Sequence, residues 1–315
     1  MNLSDDRTEK ELKKLSKEIC KIYRQAAKEL AKKADEYWNG YTDDDGNWQE
    51  GYFEKYEKER KKWEAGEYTD QEWETWQRIQ IGIGKRWESM RDQMVNIALN
   101  ANEVAIAFVN DATPAIYALN HNYSLYQIEN AYSNTSFTIT DANTVRRLIR
   151  KKNHVNFRVL RHDRTTDYRW NKSRITNALM QGIIQGESPE DISNRFLNVM
   201  DSNMSAAMRN ARTAVTSAQN AGRIDSYKKA SDAGIVIEKE WLAAADGRTR
   251  ESHARANGQR KPWNKPFEMQ HGTLNYPGDP AGHPSEVYNC RCTVIPILPT
   301  VKEKVPEYAD WLKGK

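Results

Sequence analysis

The pattern of apolar and polar residues predicts a long helix near the start of the chain. Between residues 8 and 38, apolar side chains recur at steps of three and four, which places them on one face of an amphipathic helix. Lys and Glu fill the other faces and leave only a narrow apolar stripe. We therefore predict a helix that packs in a thin bundle or against a partner. The stripe consists of Leu12, Leu15, Ile19, Ile22, Tyr23, Ala26 and Leu30.

Two further helices are predicted over residues 52–63 and 70–111. The apolar positions of the second keep helical spacing for about 30 residues, or ~45 Å at about 1.5 Å per residue. Pro114 predicts a break and a restart, because proline is tolerated in the first turn of a helix but not in its interior. Residues 115–140 are rich in Tyr and Asn, and we expect short helices and turns that end in a short strand at residues 137–140.

Residues 175–230 predict a helix, a turn and two more helices. Ser188 and Pro189 give a helix-start signal after the turn, and the last helix is expected to open at Arg209. A helix-turn-helix DNA reader is the alternative. It is disfavoured because the helix after the turn begins with acidic residues, which would face the phosphates of a DNA groove.

Two β-prone segments flank a long loop in the C-terminal part. Residues 235–242 pass from an apolar run into alternation, and in residues 292–298 Pro296 indicates an edge strand or a strand end. A loop as long as the one between these two segments is either held in place by contacts within the loop or has a functional role. Residues 300–315 predict either a docking helix or a disordered end.

The predicted fold is therefore mainly α with a small α+β C-terminal domain. An extended N-terminal helical arm or bundle would occupy residues 1–140, followed by a basic connecting segment over residues 141–174. A loop-rich C-terminal module with a short antiparallel sheet would occupy residues 175–315.

The amino-acid composition argues against a disordered chain, a disulfide-rich secreted domain and a membrane protein. Charged residues make up 29% and the mean hydropathy is −0.90, but 10 Trp and 15 Tyr supply material for burial, so disorder is not predicted. Three cysteines, two of them separated by one residue, cannot form the disulfide framework of a secreted domain. Neither a signal peptide nor a membrane span is expected.

Residues 145–174 carry a concentrated positive charge. They hold 11 Lys and Arg against two Asp, a net +9 in a chain whose total is only +4. Such a segment attracts phosphate groups by salt-sensitive electrostatics, or it docks on an acidic protein surface, and both interpretations stay open. The candidate contact residues are Arg146, Arg147, Arg150, Lys151, Lys152, Arg158, Arg161 and Arg164.

Histidines and cysteines gather in the C-terminal loop. His253, Cys290 and Cys292 have the ligand types of a structural zinc site, although a spacing of one residue between two cysteines is irregular for zinc. The alternative is that the thiols are small buried hydrophobes and that His253 hydrogen-bonds across the loop. No other cofactor is expected. A fourth zinc ligand would come from Asp246, His271 or His283.

Polar residues of the same loop are candidates for tying it together. Asp246 and Gly247 are turn-forming residues, and Arg291 could pair with Asp246 or with Asp279. The candidate ties are Asp246, Arg248, Thr249, Arg250, His253, Asn289, Cys290, Arg291 and Cys292.

The order of these residues resembles a known family. Trp241, then Asp246-Gly-Arg-Thr-Arg-x-x-His253, later His271-Gly, Pro277-Gly-Asp-Pro280 and finally Asn289-Cys-Arg-Cys292 are similar to the C-terminal domain of phage minor head proteins. These are the head-morphogenesis, Mu-F-like proteins of tailed phages. The resemblance covers roughly residues 180–298, and the Ala-Arg-Thr helix before the first strand is similar too.

The resemblance implies a structural minor capsid protein and not an enzyme. Such a protein would be incorporated near the portal, would assist head assembly, and would contact packaged DNA or be ejected with it. Its partners would be the portal protein, with scaffold or major capsid protein and double-stranded DNA as further candidates. Its location would be the inside of the phage head, and the host cytoplasm during assembly. Residues 175–315 would form the Mu-F-like domain.

A metal-dependent nucleic-acid-processing enzyme, such as a nuclease that uses the histidine- and cysteine-rich loop, is the alternative function. It is disfavoured because no general base stands at a recognisable spacing beside Cys290, and an activated nucleophile needs one.

A calcium loop is a further alternative for the polar segment that follows the first helix. Its register fails at the sixth position, where the loop needs Gly and the chain has Trp48, so an ordinary solvated loop is favoured. The matching positions are Asp43, Asp45, Asn47 and Glu54.

Overall fold

Helices dominate the computed structural model, which describes residues 2–38, 52–80, 85–132, 135–150, 156–185, 187–299 and 305–315. The longer helices are α1 (Leu3–Trp38), α2 (Tyr52–Glu64), α3 (Asp70–Gln80), α4 (Lys85–Ala131), α5 (Ala142–Arg150), α6 (Arg164–Ile184) and α7 (Pro189–Asp232). The C-terminal part adds β1 (Glu238–Leu242), α8 (Glu251–Ala256), β2 (Arg260–Pro262), β3 (Phe267–Met269), β4 (Gly272–Leu274), α9 (Pro284–Val287), β5 (Thr293–Ile297) and α10 (Tyr308–Lys313).

This architecture confirms the predicted fold class, mainly α with a small α+β C-terminal part and short antiparallel sheets. None of the described helices combines the length and the apolar character needed to cross a bilayer. The calcium-loop positions Asp43, Asp45 and Asn47 lie outside the described residues, as do the basic residues Lys151 and Lys152.

Helix α4 continues through Pro114, so the predicted break at this residue is wrong. A proline inside a helix leaves the carbonyl four residues earlier without its usual donor. Here the hydroxyl of Thr113 donates to that carbonyl, of Asn110, at 3.4 Å. Residues 115–131 are therefore helical, and the short helices and turns predicted for them are wrong.

The strand predicted at residues 137–140 is also absent from the described chain, where this segment is extended but unpaired. The side chain of Asn122 takes the place of a partner strand. It accepts a hydrogen bond from the N–H of Thr140 at 2.9 Å and donates to the carbonyl of the same residue at 2.8 Å. The N–H and the carbonyl of Thr140 are satisfied in this way without a sheet.

Helix α7 is continuous over 44 residues, so the predicted helix boundary at Arg209 is wrong. The reason is that no glycine or proline interrupts it before Gly222. The predicted start is confirmed, because Ser188 Oγ accepts a hydrogen bond from the N–H of Asp191 at 3.2 Å. A Cβ added at Gly222 would lie 2.4 Å from the carbonyl oxygen of Tyr117 in α4. Only glycine permits this close approach of the two helices.

The described chain groups into two compact units, each assembled from segments that are distant in sequence. Unit 1 comprises residues 1–18, 106–161 and 207–315, and unit 2 comprises residues 19–105 and 162–206. In unit 2 the fully buried ring of Trp87 stacks on Phe196 with 6.4 Å between centroids. The candidate site described below belongs to unit 1. The domain boundaries given from the sequence stay a prediction.

The three-stranded sheet of unit 1 has the order β2-β1-β5 and is antiparallel throughout. Pro296 lies on the edge strand β5, as predicted, where a missing N–H is tolerated. Strands β3 and β4 form a separate hairpin. On the central strand, Lys239 is buried, donates to the carbonyl of Asn275 at 2.7 Å and lies over the ring of Phe267. Burial lowers the pKa of this lysine to about 8.

The last helix, α10, docks on the end of α4 within unit 1, so the docking alternative for the tail is confirmed. Tyr308 and Trp311 are both buried and pack edge-on against Tyr126. Trp311 Nε1 also donates to Glu129 Oε2 at 2.5 Å.

Candidate functional site

The Cys-Arg-Cys segment is held against one face of α7 through its backbone. Thr216 Oγ1 donates to the carbonyl of Cys290 at 2.8 Å, and Asn220 Nδ2 donates to the carbonyl of Cys292 at 3.3 Å. The amide oxygen of Asn220 also accepts the N–H of Val294 at 2.9 Å. These contacts fix the position of both cysteines before any ligand is considered.

The turn that leads into this segment is fixed as well. Asn289 adopts a φ of 57°, a left-handed conformation that asparagine tolerates better than most residues. Its N–H donates to Thr213 Oγ1 at 2.9 Å. The guanidinium of Arg250 donates to the carbonyl of Tyr288, which brings the start of α8 against the same turn.

The polar face of α7 was not singled out from the sequence, although a signal for it exists. Thr213, Thr216, Asn220 and Arg223 follow at steps of three and four, which is the spacing of one helical face. On a helix with so many buried alanines, polar residues at this spacing indicate hydrogen bonds made inside the core.

Arg223 forms a buried hub on this face. Its side chain is 3% exposed and pairs with Asp5 of α1 at 2.5 Å. It also donates to Ser4 Oγ at 3.0 Å, to Asn120 Oδ1 at 3.0 Å and to the carbonyl of Val294 at 3.0 Å. The hub joins α1, α4, α7 and β5 within unit 1.

Asp246 ties the loop after β1 to the residue between the two cysteines. Its carboxylate accepts two hydrogen bonds from Arg291, at 2.9 and 2.7 Å, and one from the N–H of Arg248 at 3.1 Å. Thr249 Oγ1 donates to the same carboxylate at 3.1 Å. The bonds from Arg291 hold the pKa of Asp246 well below its ordinary value. The Asp246–Arg291 pair also lines a cleft of about 560 Å³ together with Arg212.

His253, Cys290 and Cys292 form a compact buried cluster, referred to below as the His-Cys cluster. His253 Nδ1 lies 3.4 Å from Cys292 Sγ and 3.6 Å from Cys290 Sγ. The three residues are 2%, 2% and 3% exposed. His253 is presented by α8, and the cysteines precede β5. The ring of Trp241 closes the cluster edge-on, 5.3 Å from the imidazole.

A buried carboxylate lies on the other side of the histidine ring. Glu286 Oε2 is 3.1 Å from His253 Nε2, but the two groups are not aligned for a hydrogen bond, so Nε2 has no hydrogen-bond partner within the described chain. Glu286 is 1% exposed and is held by Ser252 Oγ at 2.7 Å and by the N–H of His271 at 3.3 Å. No local pattern marks this glutamate as buried, because its burial depends on the folding of the whole loop.

The two thiols of the cluster are electrostatically unequal. The hydrogen bond from Cys290, followed by the contact with His253, lowers the pKa of Cys292. The same thiol–thiol hydrogen bond, followed by burial, raises the pKa of Cys290. An acidic thiol beside an imidazole resembles an activated nucleophile. At 3% exposure, however, Cys292 is closed to a substrate of any size.

The remaining candidate ligands are not brought into the cluster. The carboxylate of Asp246 is engaged by Arg291, and His271 and His283 are exposed and lie against each other with ring centroids 5.3 Å apart. His283 accepts the N–H of Ser285 at 3.3 Å at the start of α9. Among the described residues, the group of ligand atoms that lie close enough for one metal ion is limited to the His-Cys cluster.

The basic residues near residue 150 have diverse environments. Arg146 pairs with Asp111 at 3.0 Å, and the guanidinium of Arg158 lies 4.6 Å from the ring centroid of Tyr288. In unit 2, Arg164 pairs with Glu103 at 3.2 Å. Arg147, Arg150 and Arg161 are exposed members of unit 1.

Comparison with known proteins confirms the family resemblance for the C-terminal part. Residues 173–295 match the family model described as Phage Mu protein F like protein. The chain is also similar to minor head protein GP7 of Bacillus phage SPP1, with 28% identity over 161 residues, which cover 45% of this chain and 51% of that protein.

Two bacterial proteins are similar over a shorter segment. The NAD(+)--arginine ADP-ribosyltransferase EFV of Enterococcus faecalis is 30% identical over 124 residues, which are 39% of this chain and 25% of that protein. An uncharacterized protein of Haemophilus influenzae is 31% identical over 126 residues, covering 40% of this chain and 25% of that protein. The chain thus spans about a quarter to a half of these relatives. No solved structure matches it.

Proposed function

We propose that the protein is a structural minor head protein of a tailed phage, built into the virion near the portal, where it assists head assembly. The observation that carries the proposal is the match of residues 173–295 to the Mu-F-like family, together with the likeness to a phage minor head protein. In this proposal the chain is present in the host cytoplasm during assembly and inside the head afterwards.

A non-enzymatic role is part of the proposal. The hydrogen bonds from Thr216 and Asn220 and the pair between Asp246 and Arg291 tie the C-terminal loop into a rigid module. The His-Cys cluster lies inside that module and away from solvent. The likeness to an ADP-ribosyltransferase covers only a quarter of that protein.

Incorporation into heads is the direct test. Heads of the phage that encodes the chain would be purified from infections with and without the intact gene, and treated with protease before and after they are opened. We expect the protein to co-sediment with heads and to resist the protease until the heads are opened. A protein that stays in the unsedimented fraction would contradict the proposal.

The finer part of the proposal concerns the partner of the basic segment. Arg150 and Arg161 are exposed and make no ion pair within the described chain, so their charges are available to a partner. The candidate partners are the phosphate groups of packaged or ejected DNA and the acidic surfaces of the portal, scaffold or major capsid protein. The portal protein and DNA are the two partners that we propose first.

One pair of variants separates these partners. Arg147, Arg150 and Arg161 would be replaced together by Glu. The control with the same charge change would replace exposed cations elsewhere in unit 1, namely Arg209, Arg255 and Lys265.

If the segment contacts DNA, the variant with three Glu residues binds DNA more weakly. The slope of its plot of log affinity against log salt concentration is then smaller in magnitude by roughly 2.7, at about 0.9 for each of three lost phosphate contacts. If it contacts the portal, the same variant loses retention on immobilised portal protein. Equal behaviour of the two variants in both assays would contradict a contact role for the basic segment.

A further inference from the structure

The three ligand atoms of the His-Cys cluster lie within 4.8 Å of one another, which is close enough for one metal ion. In a tetrahedral zinc site with Zn–S of about 2.3 Å and Zn–N of about 2.0–2.1 Å, a nitrogen and a sulfur ligand are roughly 3.6 Å apart. The nitrogen–sulfur distances in the cluster are 3.4 and 3.6 Å. We propose that His253 Nδ1, Cys290 Sγ and Cys292 Sγ bind a structural zinc ion.

The backbone explains how a spacing of one residue can serve this site. In an extended segment, residues two apart point to the same side and the residue between them points to the other. Cys290 and Cys292 accordingly face His253, whereas Arg291 turns away and pairs with Asp246. The Asp246–Arg291 pair therefore fixes the side on which both sulfurs lie.

The environment of the histidine favours the same assignment. Ligand histidines commonly present their second ring nitrogen to a carboxylate, which sets the tautomer and the orientation of the ring. The carboxylate of Glu286 lies on this side of the ring, 3.1 Å from Nε2 although not aligned for a hydrogen bond, and is itself held by Ser252 and by the backbone of His271. A buried carboxylate is costly unless it is paired or hydrogen-bonded, and Glu286 Oε2 lies directly beside the imidazole of His253.

The role of the ion is structural. It would join α8 to the segment before β5, two parts of the loop separated by 37 residues. Three protein ligands leave the fourth tetrahedral position to a water molecule. The burial of the cluster keeps substrates out, so the site does not have the open access of a catalytic zinc.

Metal analysis of the purified protein is the first test. The chain would be produced in medium supplemented with zinc, dialysed without chelator and analysed by mass spectrometry for zinc, copper, iron and nickel. We expect about one zinc per chain in the wild type. The control is Cys20→Ser, which removes the cysteine of α1, outside the cluster and in the other unit, and should leave the zinc content unchanged.

Three variants of the site keep the test independent of gross misfolding. Cys292→Ser and Cys290→Ser change one atom each and should lose most of the zinc while circular dichroism still reports the long helices. Glu286→Gln should keep the ligands but weaken zinc binding about 10–100-fold in a chelator competition. Replacement of zinc by cobalt should give thiolate-to-cobalt charge-transfer bands in the wild type and in Cys20→Ser, and weaker bands in Cys292→Ser.

Two results would overturn the proposal. One is a folded wild-type protein that carries no metal after zinc supplementation and gives no cobalt spectrum. The other is a zinc content that is the same in wild type, Cys290→Ser and Cys292→Ser. Copper in place of zinc, which thiolates also bind, would keep the ligands but refute zinc as the ion.

Discussion

Replacement of Arg223 by methionine tests whether the buried hub holds unit 1 together. The side chains of Arg223 and Asp5 are 3% and 11% exposed, so their pair is shielded from water. Methionine fills much of the space of the aliphatic stem but donates no hydrogen bond. The carboxylate of Asp5 and the carbonyl of Val294 would then lose a buried donor.

The size of the effect follows from this burial. Removal of one partner of a buried, hydrogen-bonded pair costs about 3–5 kcal/mol, because the other charge is left without compensation. For a domain of about 150–250 residues, each kcal/mol lowers Tm by roughly 2–4 °C. We therefore expect Arg223→Met to lower the Tm of unit 1 by roughly 6–20 °C.

The assay is thermal unfolding followed by calorimetry, with two comparison variants. Arg255→Met removes an exposed arginine that lies 3.6 Å from Glu251, and it should change the free energy of unfolding by less than about 0.5 kcal/mol. Combining Arg223→Met with Asp5→Asn should recover part of the loss, because no buried charge then remains. If Arg223→Met costs no more than Arg255→Met, the hub does not stabilise the fold and the reasoning fails.

Three other predictions follow from the same structure. Gly222→Ala should lower the free energy of unfolding by about 1–3 kcal/mol, because the new Cβ would clash with the carbonyl of Tyr117. Gly247→Ala is the control and should be nearly neutral, because its Cβ meets nothing within 4 Å. Urea unfolding measures both. The free energy of unfolding of the wild type, relative to that of Lys239→Met, should rise as pH increases from about 8 to 10.5. Over this range Lys239 is still protonated in the unfolded chain but has lost its proton in the folded one. A difference that does not change with pH would contradict the prediction. The purified protein should show no divalent-metal-dependent nuclease activity, and activity that disappears in His253→Ala would instead support the enzyme alternative.

The parts of the fold that depend on local pattern could be predicted from the sequence. The apolar stripe of α1, from Leu12 to Leu30, is buried as its spacing indicates, except for the half-buried Ile22. The start of α7 at Ser188 and the edge position of Pro296 also follow from local chemistry. In each case the determining residues lie within a few positions of one another.

At Pro114 the local preference was overridden by a neighbouring side chain. Pro114 signals a helix break, but the hydroxyl of Thr113 supplies the missing donor and the helix continues. Only part of the candidate site could be predicted from the sequence. The residue types of the His-Cys cluster were visible in the sequence, whereas the burial of Glu286 follows only from the folded loop.

The hub at Arg223 can be completed only after most of the chain has been synthesised. Its acceptors Ser4 and Asp5 emerge from the ribosome first, while Val294 emerges 71 residues after Arg223 itself. At a translation rate of about 5–20 residues per second, the beginning of α1 is synthesised roughly 15–60 s before Val294. A fragment limited to residues 173–295, the span of the family match, would keep the acceptor Val294 but would lack Ser4, Asp5 and Asn120. The contacts of Arg223 therefore reach beyond the span of the family match, and the full set joins the first residues of the chain to some of the last.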